Sequence, residues 1–166
     1  MSTKKMVYIG IFASLVLIST WMIKIPIPTG SGYVHLGDAM VYLSGALLGP
    51  MGALAAGIGS LLADIMAGYA SYALPTFVIK ALDALAVALI FKQLLRDGDS
   101  NKVKVAKFVA SMLVGGTIMV SGYFAYEFVV SPDYAFVNIP FNAIQAASGV
   151  VIAALAYPLL SKVKIG

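Results

Sequence analysis

The chain has 166 residues, 61% of them hydrophobic and 11% charged, with a formal net charge of +4. A soluble domain carries about a quarter charged residues, so this composition excludes a water-soluble globular enzyme, a disordered chain and a secreted disulfide scaffold. Cysteine is absent and His35 is the one histidine, which excludes thiolate zinc sites, catalytic thiols and multi-histidine metal sites.

What remains is an all-α integral membrane protein, expected as a single bundle over residues 1–166. A spanning helix needs roughly 20 mostly apolar residues. The first such run covers about 6–25 and stops at the turn-forming Pro26-Ile27-Pro28-Thr29-Gly30-Ser31-Gly32. The second, about 34–48, ends at Gly49-Pro50 and is short for a full crossing, so it is expected to tilt or to begin inside a loop. Further runs cover about 51–69, 75–91, 108–128 and 140–160, with Pro75 and Pro140 expected in the first turns of their helices. Lipid offers the backbone no hydrogen bonds and the runs are too long for barrel strands, so helices are required.

Six crossings put Lys4, Lys5, Lys92, Arg96, Lys102, Lys104, Lys107, Lys162 and Lys164 on one side. By the positive-inside rule that side, with both termini, is cytoplasmic, and the expected location is the cell membrane. An odd number of crossings would split this set. The basic residues thus follow the membrane boundary, and no nucleic-acid partner is implied. Lys4 and Lys5 before an apolar run suggest a secretory signal, but the run is long and lacks an A-x-A-like cleavage site, so a retained helix is expected.

The polar residues then gather toward the outer side. Asp64 lies near the outer end of span three, and Lys80 and Asp83 lie three residues apart on one face of span four. Tyr123 and Glu127 share a face of span five, while Asn138, Asn142 and Gln145 form a stripe at the start of span six, and His35 and Asp38 enter span two. Asp64, Lys80 and Asp83 would together cost on the order of 8–10 kcal/mol facing lipid, so they must face the interior. One reading is a salt bridge from Lys80 to Asp64 or Asp83 joining spans three and four. The other is a polar pocket open to the outside, built from His35, Asp38, Asp64, Lys80, Asp83, Tyr123, Glu127, Asn142 and Gln145.

Plainer roles compete at several positions. His35 equally suits a solvated or capping residue. Trp21 and Tyr69 suit an interfacial aromatic belt, and Lys24 and Glu127 are close enough to the boundary to snorkel. Gly10, Ala13 and Ser14 in span one form a small-residue face suited to another membrane protein, whereas Gly52, Ala56, Gly59, Ser60 and Ala63 suit packing within the bundle. The chain has no G-x-x-x-x-G-K-[ST], H-E-x-x-H or G-x-S-x-G motif, and Gly57-Ile58-Gly59 lacks the third glycine of a dinucleotide loop. No enzyme chemistry and no cofactor is implied.

The stretches His35-Leu36-Gly37-Asp38, Ala46-Leu47-Leu48-Gly49-Pro50-Met51-Gly52, Gly59-Ser60-Leu61-Leu62-Ala63-Asp64 and Pro75-Thr76-Phe77-Val78-Ile79-Lys80 carry a family resemblance. The chain resembles the substrate-binding (S) components of energy-coupling factor (ECF) vitamin transporters, in the riboflavin-, pyridoxine- and hydroxymethylpyrimidine-type branch. The resemblance implies high-affinity capture of a vitamin on the outer side, with the loop at about 26–37 as a lid. It also implies a transmembrane coupling subunit and two cytoplasmic ATPase subunits as partners, in keeping with the absent P-loop. The coupling face of helix one usually carries alanine-x-x-x-alanine, where this chain has Gly10 and Ser14.

The candidate pocket balances Asp38, Asp64, Asp83 and Glu127 against Lys80, which suits a neutral or cationic ring. The expected ligand is pyridoxine- or hydroxymethylpyrimidine-like, with riboflavin second. A self-sufficient ion-coupled carrier using Asp64, Lys80 and Asp83, or a membrane scaffold binding no small molecule, are the competing readings. Neither internal repeats nor broken helices of the carrier type stand out.

Overall fold

The structure is a computed structural model that describes residues 2–27 and 33–162. The chain runs through α1 (Thr3–Met22), two short strands β1 (Lys24–Pro26) and β2 (Tyr33–His35), α2 (Asp38–Leu48), a 3₁₀ turn (Gly49–Met51), α3 (Gly52–Ala67), α4 (Ala70–Leu94), α5 (Asn101–Val130) and α6 (Pro132–Leu160). The fold is therefore all-helical apart from the antiparallel pair β1–β2, in which Lys24 opposes His35 and Pro26 opposes Tyr33. Pro26 to Gly32 is expected as a turn; of these residues Pro28 to Gly32 lie outside the described residues, as does Lys164.

Local chemistry sets the breaks. Gly49 has φ 62° and ψ −147°, a conformation open only to glycine, and Pro50 follows it, so α2 cannot run on into α3. Gly68 closes α3 at φ 87°, with its own N–H on the Ile65 carbonyl and that of Tyr69 on the Asp64 carbonyl. Pro132 opens α6 in its first turn, where a missing N–H does no harm. At the α4–α5 connection the Asp99 carboxylate accepts from Lys107 Nζ (2.6 Å) and the Arg96 N–H (2.8 Å), and these bonds hold it below the usual carboxylate range.

Two expectations are corrected. Pro75 and Pro140 lie inside α4 and α6, not in their first turns. Apolar residues before each proline extend the helix in the N-terminal direction. A proline inside a helix frees the carbonyl four residues earlier, here that of Ser71, and the Tyr126 hydroxyl of α5 donates to it (3.0 Å). A tertiary contact thus replaces the lost helical bond.

Among the described residues five stretches are long and apolar enough to cross a membrane, with Asp38–Ala67 counted as one of 30 residues. Within it α2 and α3, at 11 and 16 residues, rise only about 16 and 24 Å. They pack against each other where Gly52 meets the Ser44 carbonyl, a spot with no room for a side chain. Gly59 likewise packs on the Ala13 carbonyl and Val16 of α1, so the small residues of α3 serve close packing.

The surface is apolar: Met6, Ile11, Ile18 and Met22 of α1 and Ile144, Val151, Leu155 and Leu159 of α6 are exposed. Charged and amide side chains such as Asp38, Lys80, Asp83, Glu127 and Gln145 are buried instead. This inversion is what a hydrocarbon solvent demands of a helical bundle. At one end the start of α1, the end of α4, the start of α5 and the end of α6 meet in one cluster containing Ile9, Phe12, Phe91, Phe108 and Tyr157. The polar residues occupy the other end.

Candidate functional site

The site is built at the end where β2, the end of α3, the start of α4, the end of α5 and the start of α6 converge. Its cavity is lined by Ile27, Tyr33, His35, Asp64, Tyr69, Tyr72, Thr76, Tyr123, Glu127, Asn138, Asn142 and Gln145. Of the residues expected from the sequence, His35, Asp64, Tyr123, Glu127, Asn142 and Gln145 are brought together here. Asp38, Lys80 and Asp83 do not line it.

Those three lie fully buried beside the lining residues. Lys80 Nζ forms an ion pair with Asp38, not with Asp64 or Asp83 as expected. The reason is tertiary: α2 and α4 pack side by side, with Gly45 against the Ala84 backbone. The other Asp38 oxygen accepts from Gln145 Nε2 (2.9 Å), and Gln145 Oε1 accepts the His35 N–H (3.0 Å). Lys80 Nζ also lies 5.5 Å from the centroid of the Tyr123 ring, whose hydroxyl is 3.1 Å from Thr76 Oγ1. One connected network therefore runs from the lining residues Gln145 and Tyr123 to the buried pair. The Asp83 carboxylate and the Tyr42 hydroxyl are buried with no hydrogen-bond partner among the described residues.

The walls are tyrosines and carboxylates. Tyr33 Oη donates to Asp64 Oδ1 (2.8 Å), while Asn138 Nδ2 (2.9 Å) and Tyr72 Oη (3.4 Å) donate to Glu127 Oε1. Burial, then the charge of Asp64 and the bond to it, push the Tyr33 hydroxyl up, so it stays a donor. His35 Nδ1 accepts the Gly37 N–H (3.0 Å). Burial is the main cause that pulls the His35 imidazole down to about 4; Lys80 adds to this and Asp38 opposes it. His35 is thus a neutral, buried lining residue rather than a solvated one.

Ile27, Tyr33, Tyr69, Tyr72, Thr76 and Asn138 complete a lining that the sequence had not assigned as a whole. Tyr69 had the pattern of a membrane belt, and Asn138 stood in the Asn142–Gln145 stripe. Thr76 carried no signal. On α1, Gly10 and Ser14 face outward, with Ser14 Oγ donating to the Gly10 carbonyl (2.9 Å), whereas Ala13 is buried against α3. Among the described residues no group of three potential ligands is placed to hold a metal ion.

Fold and site together define a multi-pass helical membrane protein with a polar cavity at one end of an apolar bundle. Residues 1–163 match the family model described as ECF-type riboflavin transporter, S component. The chain belongs to this family of ECF S components, which are substrate-binding subunits of transporters and not enzymes. It is similar, at 35% identity over 138 residues (82% of this chain and 88% of the relative), to a Pyrococcus woesei protein described as an uncharacterized protein in the gap 3′ region. It shares its fold with a solved S component of a bacterial ECF transporter, at a TM-score of 0.73 and 20% identity over 96% of each chain.

Proposed function

We propose that this subunit captures a small neutral or cationic ring vitamin or vitamin precursor, pyridoxine- or hydroxymethylpyrimidine-like, in the cavity at the hairpin end. The observation that carries this reading is the lining itself: one histidine, two carboxylates, three amides and four tyrosines converge in a bundle whose surface is otherwise apolar. Asn142 and Gln145 offer donors and acceptors to a heterocycle edge, and the tyrosine rings offer faces to stack on. Riboflavin is the second reading, favoured by the description of the family.

The cavity holds about 40 Å³, against roughly 300 Å³ or more for pockets that enclose small molecules. Ligand entry therefore requires the lining to move apart. The β1–β2 hairpin, which contributes Tyr33 and His35, is the segment proposed as a lid. The chain would cross the cell membrane six times, with both termini and the basic α4–α5 connection on the cytoplasmic side. Energy would come from ATP hydrolysed by two partner subunits through a transmembrane coupling subunit, docked on the Gly10–Ser14 face.

Calorimetry and thermal shift on detergent-purified protein test the reading, using pyridoxine, pyridoxamine, hydroxymethylpyrimidine, thiamine and riboflavin. One ligand is expected to bind below micromolar concentration, and Asn142→Leu is expected to weaken it about tenfold or more, the loss of one polar contact left unmet. Absence of binding across the panel retires the proposed ligand class. Uptake into vesicles driven by an ion gradient alone, without ATP and partner chains, would favour the carrier reading instead.

A further inference from the structure

Each cavity carboxylate is only half satisfied. Asp64 Oδ1 and Glu127 Oε1 accept the bonds described above, but Asp64 Oδ2 and Glu127 Oε2 have no hydrogen-bond partner among the described residues. Both side chains are more than nine-tenths buried, at 6% and 4% exposure, and both line the cavity. A buried carboxylate oxygen without a donor is costly, and the cost disappears when a cation supplies the missing hydrogen bonds.

Among the described residues no lysine or arginine lines the cavity. Lys80 is committed to Asp38, and the His35 imidazole accepts a backbone N–H at Nδ1. Lys24 is exposed and sits 5.9 Å from the ring centroids of Trp21 and Tyr33. One wall is formed by the rings of Tyr33, Tyr69 and Tyr72, in sequence at 5.2 and 6.5 Å between centroids. Aromatic faces around a negative site attract cations, most strongly when water is excluded.

We infer that the cavity selects a cationic ligand, a single aromatic ring bearing an ammonium group, with the ammonium between Asp64 Oδ2 and Glu127 Oε2 and the ring among the tyrosines. The inference rests on the cavity being the ligand site and narrows its substrate class from neutral or cationic to cationic. Tyr33, Tyr72 and Asn138 hold the satisfied oxygens, which leaves each carboxylate one oxygen for a further donor. A hydroxyl in place of the ammonium donates one hydrogen bond, brings no compensating charge and leaves the second oxygen unmet. A carboxylate-bearing ring meets two like charges.

Matched ligand pairs read this selection directly. Pyridoxamine and pyridoxine share one ring and differ in an aminomethyl against a hydroxymethyl group, as do aminomethyl- and hydroxymethylpyrimidine. At pH 7 the amine of at least one pair is expected to bind the wild-type subunit about tenfold or more tighter than its alcohol, the gain from adding a compensating charge and further donors. Glu127→Gln and Asp64→Asn keep the shape and are expected to shrink that ratio to below about threefold. The wild-type comparison alone decides the matter if either variant fails to fold. Equal affinities within both pairs, or riboflavin binding tighter than either amine, overturn the cation selection and leave the cavity as the site. Binding by no ring, to protein that still melts cooperatively, overturns the site reading and this inference together.

Discussion

The two ends of the bundle use the same kind of side chain to opposite effect. At the end shared by the start of α1 and the end of α6, Phe91, Phe108 and Tyr157 form a closed triangle, with centroids 5.3, 5.5 and 5.0 Å apart. Each ring packs on both others. At the hairpin end, Tyr33, Tyr69, Tyr72 and Tyr126 stand in a line at 5.2, 6.5 and 5.1 Å. Their separations are similar, but the hydroxyls of Tyr33, Tyr72 and Tyr126 are tied to Asp64, Glu127 and the Ser71 carbonyl. A ring held by its polar tip forms a wall, whereas a ring free to pack on all sides fills a core. The difference between a seal and a cavity thus lies in where the hydroxyls bond, not in aromatic content.

Three measurements break or sharpen this contrast. The largest effect is expected at the sealed end, where Phe108→Ala removes a fully buried ring and should lower stability by about 3–5 kcal/mol. Ligand affinity of the folded fraction should stay unchanged. A large loss of affinity with little loss of stability would show that the ends are not separate in role.

The next effect belongs to the cavity end alone. Because the His35 pKa in the folded chain lies below its ordinary value of 6.5, at about 4, the unfolded chain takes up the proton first as pH falls. Stability is therefore complete above about pH 6.5 and declines toward pH 4, by about 3 kcal/mol in all. Melting temperatures measured from pH 7.5 to 4.5 should show this decline in the wild type and a flatter profile in His35→Gln. An unchanged slope in the variant would assign the decline to other groups.

The smallest effect is expected for Tyr126→Phe, which keeps the ring in its line but removes the donor to the Ser71 carbonyl opposite Pro75. A loss of about 1 kcal/mol is expected, read as a small drop in melting temperature. A loss as large as that of Phe108→Ala would mean that this hydroxyl holds the α4–α5 contact as a whole.

Much of this protein was already written in local sequence. Apolar runs of spanning length and Gly49-Pro50 determined helices and their breaks, because backbone conformation responds to neighbouring residues. The cost of charge in lipid determined that Asp64, Lys80 and Asp83 turn inward. Period and stripe also marked His35, Asp64, Tyr123, Glu127, Asn142 and Gln145, six residues that now share one cavity. Tertiary structure alone decided which faces meet. Lys80 has Asp83 three residues away on its own helix, yet pairs with Asp38, 42 residues distant, because α2 packs on the face of α4 that carries Lys80. Pro75 reads as a helix start until Tyr126 supplies the hydrogen bond that lets the helix begin at Ala70. Tyr69 reads as a membrane belt residue until the hairpin brings Tyr33 beside it. Helical periodicity assigns a residue to a face of its own helix, and only the packing of the helices sets what that face meets.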